Sequence, residues 1–115
     1  MILNIRESMQ DDIEAIESLY PEAFPDEDLL PVVHELLRTP KIILSLVATI
    51  DSKPVAHVIF TDCEVAGSNI RAALLAPLAV APRFQRQGIG SAIVRDGLQR
   101  LQQAGAFIIG KNNLH

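Results

Sequence analysis

At 115 residues, 49% of them apolar, the chain is long enough for one domain with a hydrophobic core, and a disordered chain is excluded. A single cysteine, Cys63, excludes an internal disulfide and a cysteine-rich metal site, and no metal ligand set is expected. The net charge of −4 and an aromatic content of 4% argue against nucleic-acid binding. No apolar run reaches the length of a membrane span, and Arg6 followed by acids lacks a secretory pattern, so a soluble cytoplasmic protein is expected. The charge is unevenly placed. Residues 1–40 carry ten acidic and two basic side chains, residues 41–115 four acidic and eight basic, so a −8 stretch precedes a +4 stretch. The basic part suits an anionic ligand and the acidic part a cationic one, although acids are also the ordinary solvated face of a helix.

In chain order, residues 2–6 alternate apolar and polar and predict a first strand. Ser8, with Asp11 three residues on, predicts an N-cap with a capping-box arrangement for a first helix. Ile13, Ile16, Leu19 and Tyr20 form its apolar stripe, and Pro21 limits its extension. After a break containing Phe24 and Pro25, Val32, Val33, Leu36 and Leu37 mark a second helix that starts close to Pro31. Three strand-like runs follow. The first starts at Lys41 and is closed by a turn over residues 51–54, the second covers residues 55–65 and the third residues 71–80. Short turns between them, one over residues 66–69, predict an antiparallel meander.

An apolar run ending at Val80, then a loop with Pro82, Arg83 and Arg86, then Gly88 and Gly90 at the start of a helix read as strand, anion loop and helix. In the helix Ile89, Ile93, Val94, Leu98 and Leu101 recur at three- and four-residue steps, while Arg95, Asp96, Gln99, Arg100, Gln102 and Gln103 fall on other faces. Its first turn leaves backbone N–H groups unpaired at the positive end of the peptide dipoles, where a phosphate fits. The glycines permit close backbone approach, Ser91 adds a hydroxyl, and Arg83 and Arg86 add positive charge. A diphosphate ligand is expected. The P-loop spacing is absent, and the dinucleotide pattern would need glycine where Ile93 stands. Gly105 is placed to end the helix, and residues 107–109 start a strand parallel to the one ending at Val80.

The stretch PLAVAPRFQRQGIGSAIV resembles the acetyl-CoA-binding segment of the GCN5-related N-acetyltransferase (GNAT) superfamily, whose Q/R-x-x-G-x-G/A signature is matched by Gln85, Gly88 and Gly90. The opening IRESMQDDIEAIESL is similar to the family's first strand and helix. The resemblance implies an α/β fold with a mixed, mostly antiparallel twisted sheet and helices on both faces. It implies acetyl-CoA as acyl donor, an amine acceptor and direct attack of that amine on the thioester. It places the pantetheine arm along Leu78, Ala79 and Val80, and the pyrophosphate on the backbone of Gln85, Arg86, Gln87, Gly88, Ile89 and Gly90, with Ser91 at the helix start. A backbone N–H near Val80 is the implied oxyanion donor. The acceptor side falls to the segment with Glu22, Asp26, Glu27 and Asp28.

An amine of pKa about 10.4 is free in only about one molecule in a few thousand at pH 7, so a base or a water chain is required. His57, and the carboxylates Asp62 and Glu64 farther along the same strand, are the candidates, and the base stays unassigned. Cys63 reads as a small core residue. The resemblance runs from Ile2 to about Gly110. Family members continue with a tyrosine-containing helix and further strands, whereas this sequence ends KNNLH and has Tyr20 as its only tyrosine. One N-acetyltransferase domain over residues 1–115, lacking the C-terminal strands, is expected. Its exposed last strand is expected to pair with a second copy, unless the chain is a shortened product of a longer gene. The alternative functional reading is a non-catalytic acyl-CoA-binding module or an assembly subunit.

Overall fold

Leu44, Leu46, Ala48 and Ile50 alternate with Ser45, Val47 and Thr49 along one stretch, and this period of two gives the sheet two different faces. In the computed structural model, residues 2–38, 42–64, 71–103 and 107–108 are described. Strands β1 (Leu3–Glu7), β2 (Ile42–Ile50), β3 (Lys53–Glu64), β4 (Arg71–Val80) and β5 (Phe107–Ile108) lie in that order in one sheet. The first four pair antiparallel, as the meander required, and β5 is parallel to β4. Helices α1 (Ile13–Ala23) and α2 (Leu30–Arg38) cover one face and α3 (Ile89–Gln103) the other. The expected turn at residues 66–69, the helix end at Gly105 and the strand residue Ile109 lie outside the described residues.

The two faces have separate cores. Leu44, Leu46, Ala48, Ile50, Val58 and Phe60 meet Ile89, Ile93 and Leu101 of α3. Val47 and Ala79 meet Ile16, Leu19, Tyr20 and Val33 of the other two helices. Each large side chain fully removed from water contributes about 1.5–3 kcal/mol to holding these layers. Helix α3 comes close to the sheet because Gly97 faces Phe60. A Cβ at that position would lie 2.3 Å from Phe60 Cε1 and 2.5 Å from Cζ.

Several local expectations are corrected. The first helical segment is capped by Met9 and Asp12 in place of Ser8 and Asp11: Met9 N–H donates to Asp12 Oδ2 at 2.7 Å, leading a 3-10 turn (Gln10–Asp12) into α1. Arg6 explains the choice, since its guanidinium holds both oxygens of Asp12 at 2.8 and 2.9 Å. Its hydrogen bond, ahead of the burial that opposes it, keeps the Asp12 carboxyl below the usual range. Pro21 does not stop α1, which runs on to Ala23, because a proline in the last turn forfeits only one backbone bond. Val32 turns to solvent, 51% exposed, while Val33 is buried, so the apolar side of α2 is narrower than its spacing predicted. The turn after β2 is only Asp51 and Ser52, both at positive φ (53° and 67°), the conformation a two-residue hairpin demands. Lys53 and Pro54 already belong to β3, with Pro54 beside a register shift at Ala48 and Thr49, where a missing N–H is tolerated.

Candidate functional site

Strand β4 ends at Val80, and a loop runs from there to the start of α3 at Ile89. Strand β5 pairs with β4 at Ala72 and Ala73, so among the described residues no strand covers that edge from Leu74 to Val80. On its other edge β4 remains paired, with Val80 opposite Ala56 and Ala81 N–H donating to Val55 O at 2.8 Å. A register shift between the pairs of Val58 and Phe60 sets Ala76 and Pro77 of β4 against the single Ile59 of β3, one extra residue just before Leu78. The side chains of Leu78 and Val80 pack toward α3, while Ala79 is buried toward α1.

Beyond Val80 the loop is knitted to itself. Pro82–Phe84 forms a 3-10 turn, Gln85 Nε2 donates to Val80 O at 2.9 Å, and Gln87 Nε2 donates to Arg83 O at 3.1 Å. Arg83 lies 5.4 Å from the centroid of the Phe84 ring. Arg86 and Gly88 sit at positive φ, 65° and 82°, the left-handed conformation found in backbone concavities that bind anions. The first closed bond of α3 is Ala92 N–H to Gly88 O at 2.9 Å, so the N–H groups of Ile89, Gly90 and Ser91 precede it. The two signature glycines differ physically. Gly88 is required by its dihedral angle. A Cβ on Gly90 would lie 3.6 Å from Val80 and 3.8 Å from Leu78, ordinary contacts, so the fold alone does not demand glycine there.

His57 lies opposite Ala79, one position from Val80, but faces the α1 layer with no exposed surface. Its Nδ1 is 2.7 Å from Tyr20 Oη and its Nε2 2.9 Å from Ser45 Oγ. Burial pushes the imidazole down to about 4, against a smaller opposing pull from Asp12, and burial also pushes the Tyr20 phenol up. The structure does not bring Glu64 to the loop. Its backbone pairs with Arg71, nine positions from Val80 along β4, roughly 30 Å at the rise of a strand. Asp62 and Cys63 pair with Ala73 and Ala72 toward that same far end. On the α1 side, Pro21, Phe24, Pro25, Asp26, Glu27, Asp28, Leu29 and Leu30 line a cavity of about 340 Å³. Phe24 packs in one cluster with Tyr20, Ala79 and Ala81, so the acidic connection reaches the end of β4.

A sequence comparison decides what this arrangement is. Residues 9–115 match the Acetyltransferase (GNAT) family. The chain belongs to that family. YhbS of Escherichia coli (strain K12), an uncharacterized N-acetyltransferase, is 30% identical over 102 residues, covering 88% of this chain and 61% of YhbS, so the chain spans about three fifths of that relative. A GNAT family acetyltransferase from Brucella melitensis, solved in complex with acetyl-CoA, superposes with a TM-score of 0.84 at 29% identity, over 91% of this chain and 71% of that one. The crystal structure of YhbS from Escherichia coli in complex with CoA gives 0.85 at 28% identity, over 94% of this chain and 61% of that one.

The GNAT fold therefore places the residues from Leu78 to Ser91 in one continuous strand, loop and helix, as the sequence motif required. Sequence reading of this GNAT chain missed the partners of His57. The signal was present in Tyr20, a phenol on an otherwise apolar helix stripe, and in Ser45, a hydroxyl within an aliphatic strand. Amphiphilic side chains in two buried stripes need each other's hydrogen bonds. Among the described residues no group of three His, Cys, Asp or Glu side chains is placed to hold a metal, and no helix is long and apolar enough to cross a membrane.

Proposed function

We propose that the chain is an acetyl-CoA-dependent N-acetyltransferase domain that transfers an acetyl group to a primary amine by direct attack on the thioester. The observation that carries the reading is the loop from Gln85 to Ser91, with two positive-φ residues and the open first turn of α3, following directly on strand β4. Acetyl-CoA supplies an acetyl group activated as a thioester. The donor set fits it: the N–H groups of the loop and of the first helical turn, which precede the first closed bond of α3, would hold the pyrophosphate, and the absence of a side chain on Gly90 would leave it room. The backbone of Leu78, Ala79 and Val80 would take the pantetheine arm, and an N–H near Val80 would stabilise the negative charge that develops on the thioester oxygen. Acceptance of a cationic amine is supported by the exposed Glu22, Asp26, Glu27 and Asp28 around the α1–α2 connection.

We assign neither His57 nor Glu64 as the base. The first is held neutral and sealed from solvent, and the second stands at the far end of the sheet. The test is calorimetric titration of the 115-residue chain with acetyl-CoA, beside a Gly88→Glu variant that puts a carboxylate into the loop, followed by turnover with a panel of amines. Saturable binding that the variant loses, with acetylated amine formed, is the expected result. Binding without turnover would leave an acyl-CoA-binding module, and no binding by the folded chain would end the acetyltransferase reading.

A further inference from the structure

Between α1 and the sheet, four polar side chains join in one hydrogen-bonded path. Ser8 Oγ donates to Ser45 Oγ at 2.7 Å, Ser45 Oγ lies 2.9 Å from His57 Nε2, and His57 Nδ1 lies 2.7 Å from Tyr20 Oη. The path starts at half-buried Ser8 and ends on Tyr20, which is 1% exposed. From there the contact continues through rings. Tyr20 and Phe24 stack with centroids 6.5 Å apart and planes at 20°, and Phe24 lines the cavity of the acidic connection. Phe24 N–H also donates to Tyr20 O at 2.9 Å, so backbone and ring contacts both link the two residues at the end of α1.

We propose that His57 is a positioning residue: by holding Tyr20 Oη it fixes Phe24, and with it the α1–α2 wall beside the end of β4 that an amine acceptor approaches, while touching neither acceptor nor acetyl-CoA. The word acceptor rests on the acetyltransferase reading; the placement of the wall does not. The physical reason is directionality. Apolar contact between α1 and the sheet constrains separation but tolerates sliding, because burial energy has no preferred direction. A phenol bonded to an imidazole whose other nitrogen is also bonded keeps both bonds only with its heavy atoms in this placement, whichever tautomer the ring adopts, and leaving it strips the buried ring nitrogen and phenol of their partners. His57 therefore sets where α1 ends along the sheet.

The test is Tyr20→Phe, which removes one oxygen and keeps the ring. The amides of Phe24 and Glu27, bonded to Tyr20 O and Phe24 O, are expected to exchange with solvent about tenfold faster, while the Ala92 amide on Gly88 O stays within about twofold. In turnover assays the acceptor KM rises about tenfold, with kcat and the acetyl-CoA Kd nearly unchanged. Val94→Ala, on the opposite face, serves as a destabilised control that moves neither readout. If Tyr20→Phe does not fold, Ser45→Ala, one step farther from the wall, is read in the same way. Faster exchange spread evenly through α1 and α3, or a control that loosens Phe24 as much, would overturn the proposal and leave the path as ordinary core. A wild type that binds no acetyl-CoA would remove the acetyltransferase reading, and the exchange pattern would still decide what His57 does.

Discussion

Phe60 and His57 stand three residues apart on β3, both without exposed surface, on opposite faces of the sheet. Against Phe60, helix α3 closes with aliphatic side chains and the hydrogen of Gly97, so the contact is governed by volume alone. Against His57, helix α1 closes through the Tyr20 phenol while Ser45 of the neighbouring strand β2 holds the other ring nitrogen, so the contact is governed by hydrogen-bond geometry. The face governed by volume has the proposed phosphate loop at its rim, where Val80 and Phe84 pack on its core. The face governed by geometry carries the segment expected to discriminate the acceptor.

The comparison predicts different responses to substitution. His57→Ala removes a buried ring and takes a partner from the buried Tyr20 hydroxyl and from the half-buried Ser45, and should cost about 3–5 kcal/mol in urea unfolding. A loss under about 1 kcal/mol would show that the polar path contributes no more than surface contacts do. The same residue gives a pH signature. Its pKa is pushed down to about 4 from an ordinary 6.5, so between these values the unfolded chain binds a proton that the folded chain refuses. Stability therefore falls as pH drops from about 7 toward 4, by up to about 3 kcal/mol. The Arg6-bound Asp12 carboxyl, also lowered, adds its loss only at still lower pH. His57→Gln should flatten the 4–6.5 segment of the stability–pH curve, and an unchanged slope would refute the assignment.

On the other face the effects are smaller and steric. Gly97→Ala gains about 1 kcal/mol of helix propensity, yet drives a methyl into Phe60 at 2.3 Å, for a net loss of about 1–2 kcal/mol. Phe60→Leu in the same chain should recover part of that loss in a double-mutant cycle, and full additivity would rule out the clash. Smallest of all is Gly90→Ala, whose methyl finds only ordinary contacts, so the unfolding midpoint should correspond to a change within about 0.5 kcal/mol. Its acetyl-CoA affinity should fall all the same, and equal affinity would detach Gly90 from the proposed site.

The same contrast explains what could be read in advance. Volume-governed features repeat in sequence: the steps from Ile89 to Leu101 gave α3, and the glycine placement gave the loop. Features decided by one partner far along the chain did not. Ser8 has the chemistry of an N-cap, but Ser45, 37 positions on, takes its hydroxyl, while Arg6 recruits Asp12 to Met9. Gly97 looks like a flaw in a helix until Phe60 is placed beneath it. Residues 62–64 carried acids worth considering as bases, and only the strand register showed how far they stand from Val80.

The hydrogen bond from Arg100 Nη2 to Ile5 O, 3.2 Å long, joins residues 95 positions apart. Arg100 is itself braced by Asp96 at 2.5 Å, one helical turn back. During synthesis the N-terminal strand leaves the ribosome first and can pair with β2 well before α3 exists. Its tether to α3 is added only once Arg100 has emerged. In the growing chain that strand is held by its ladder and the Arg6–Asp12 pair but lacks the tether to α3, so a nascent chain halted before residue 100 should be cut by protease near Ile5 more readily than the finished fold.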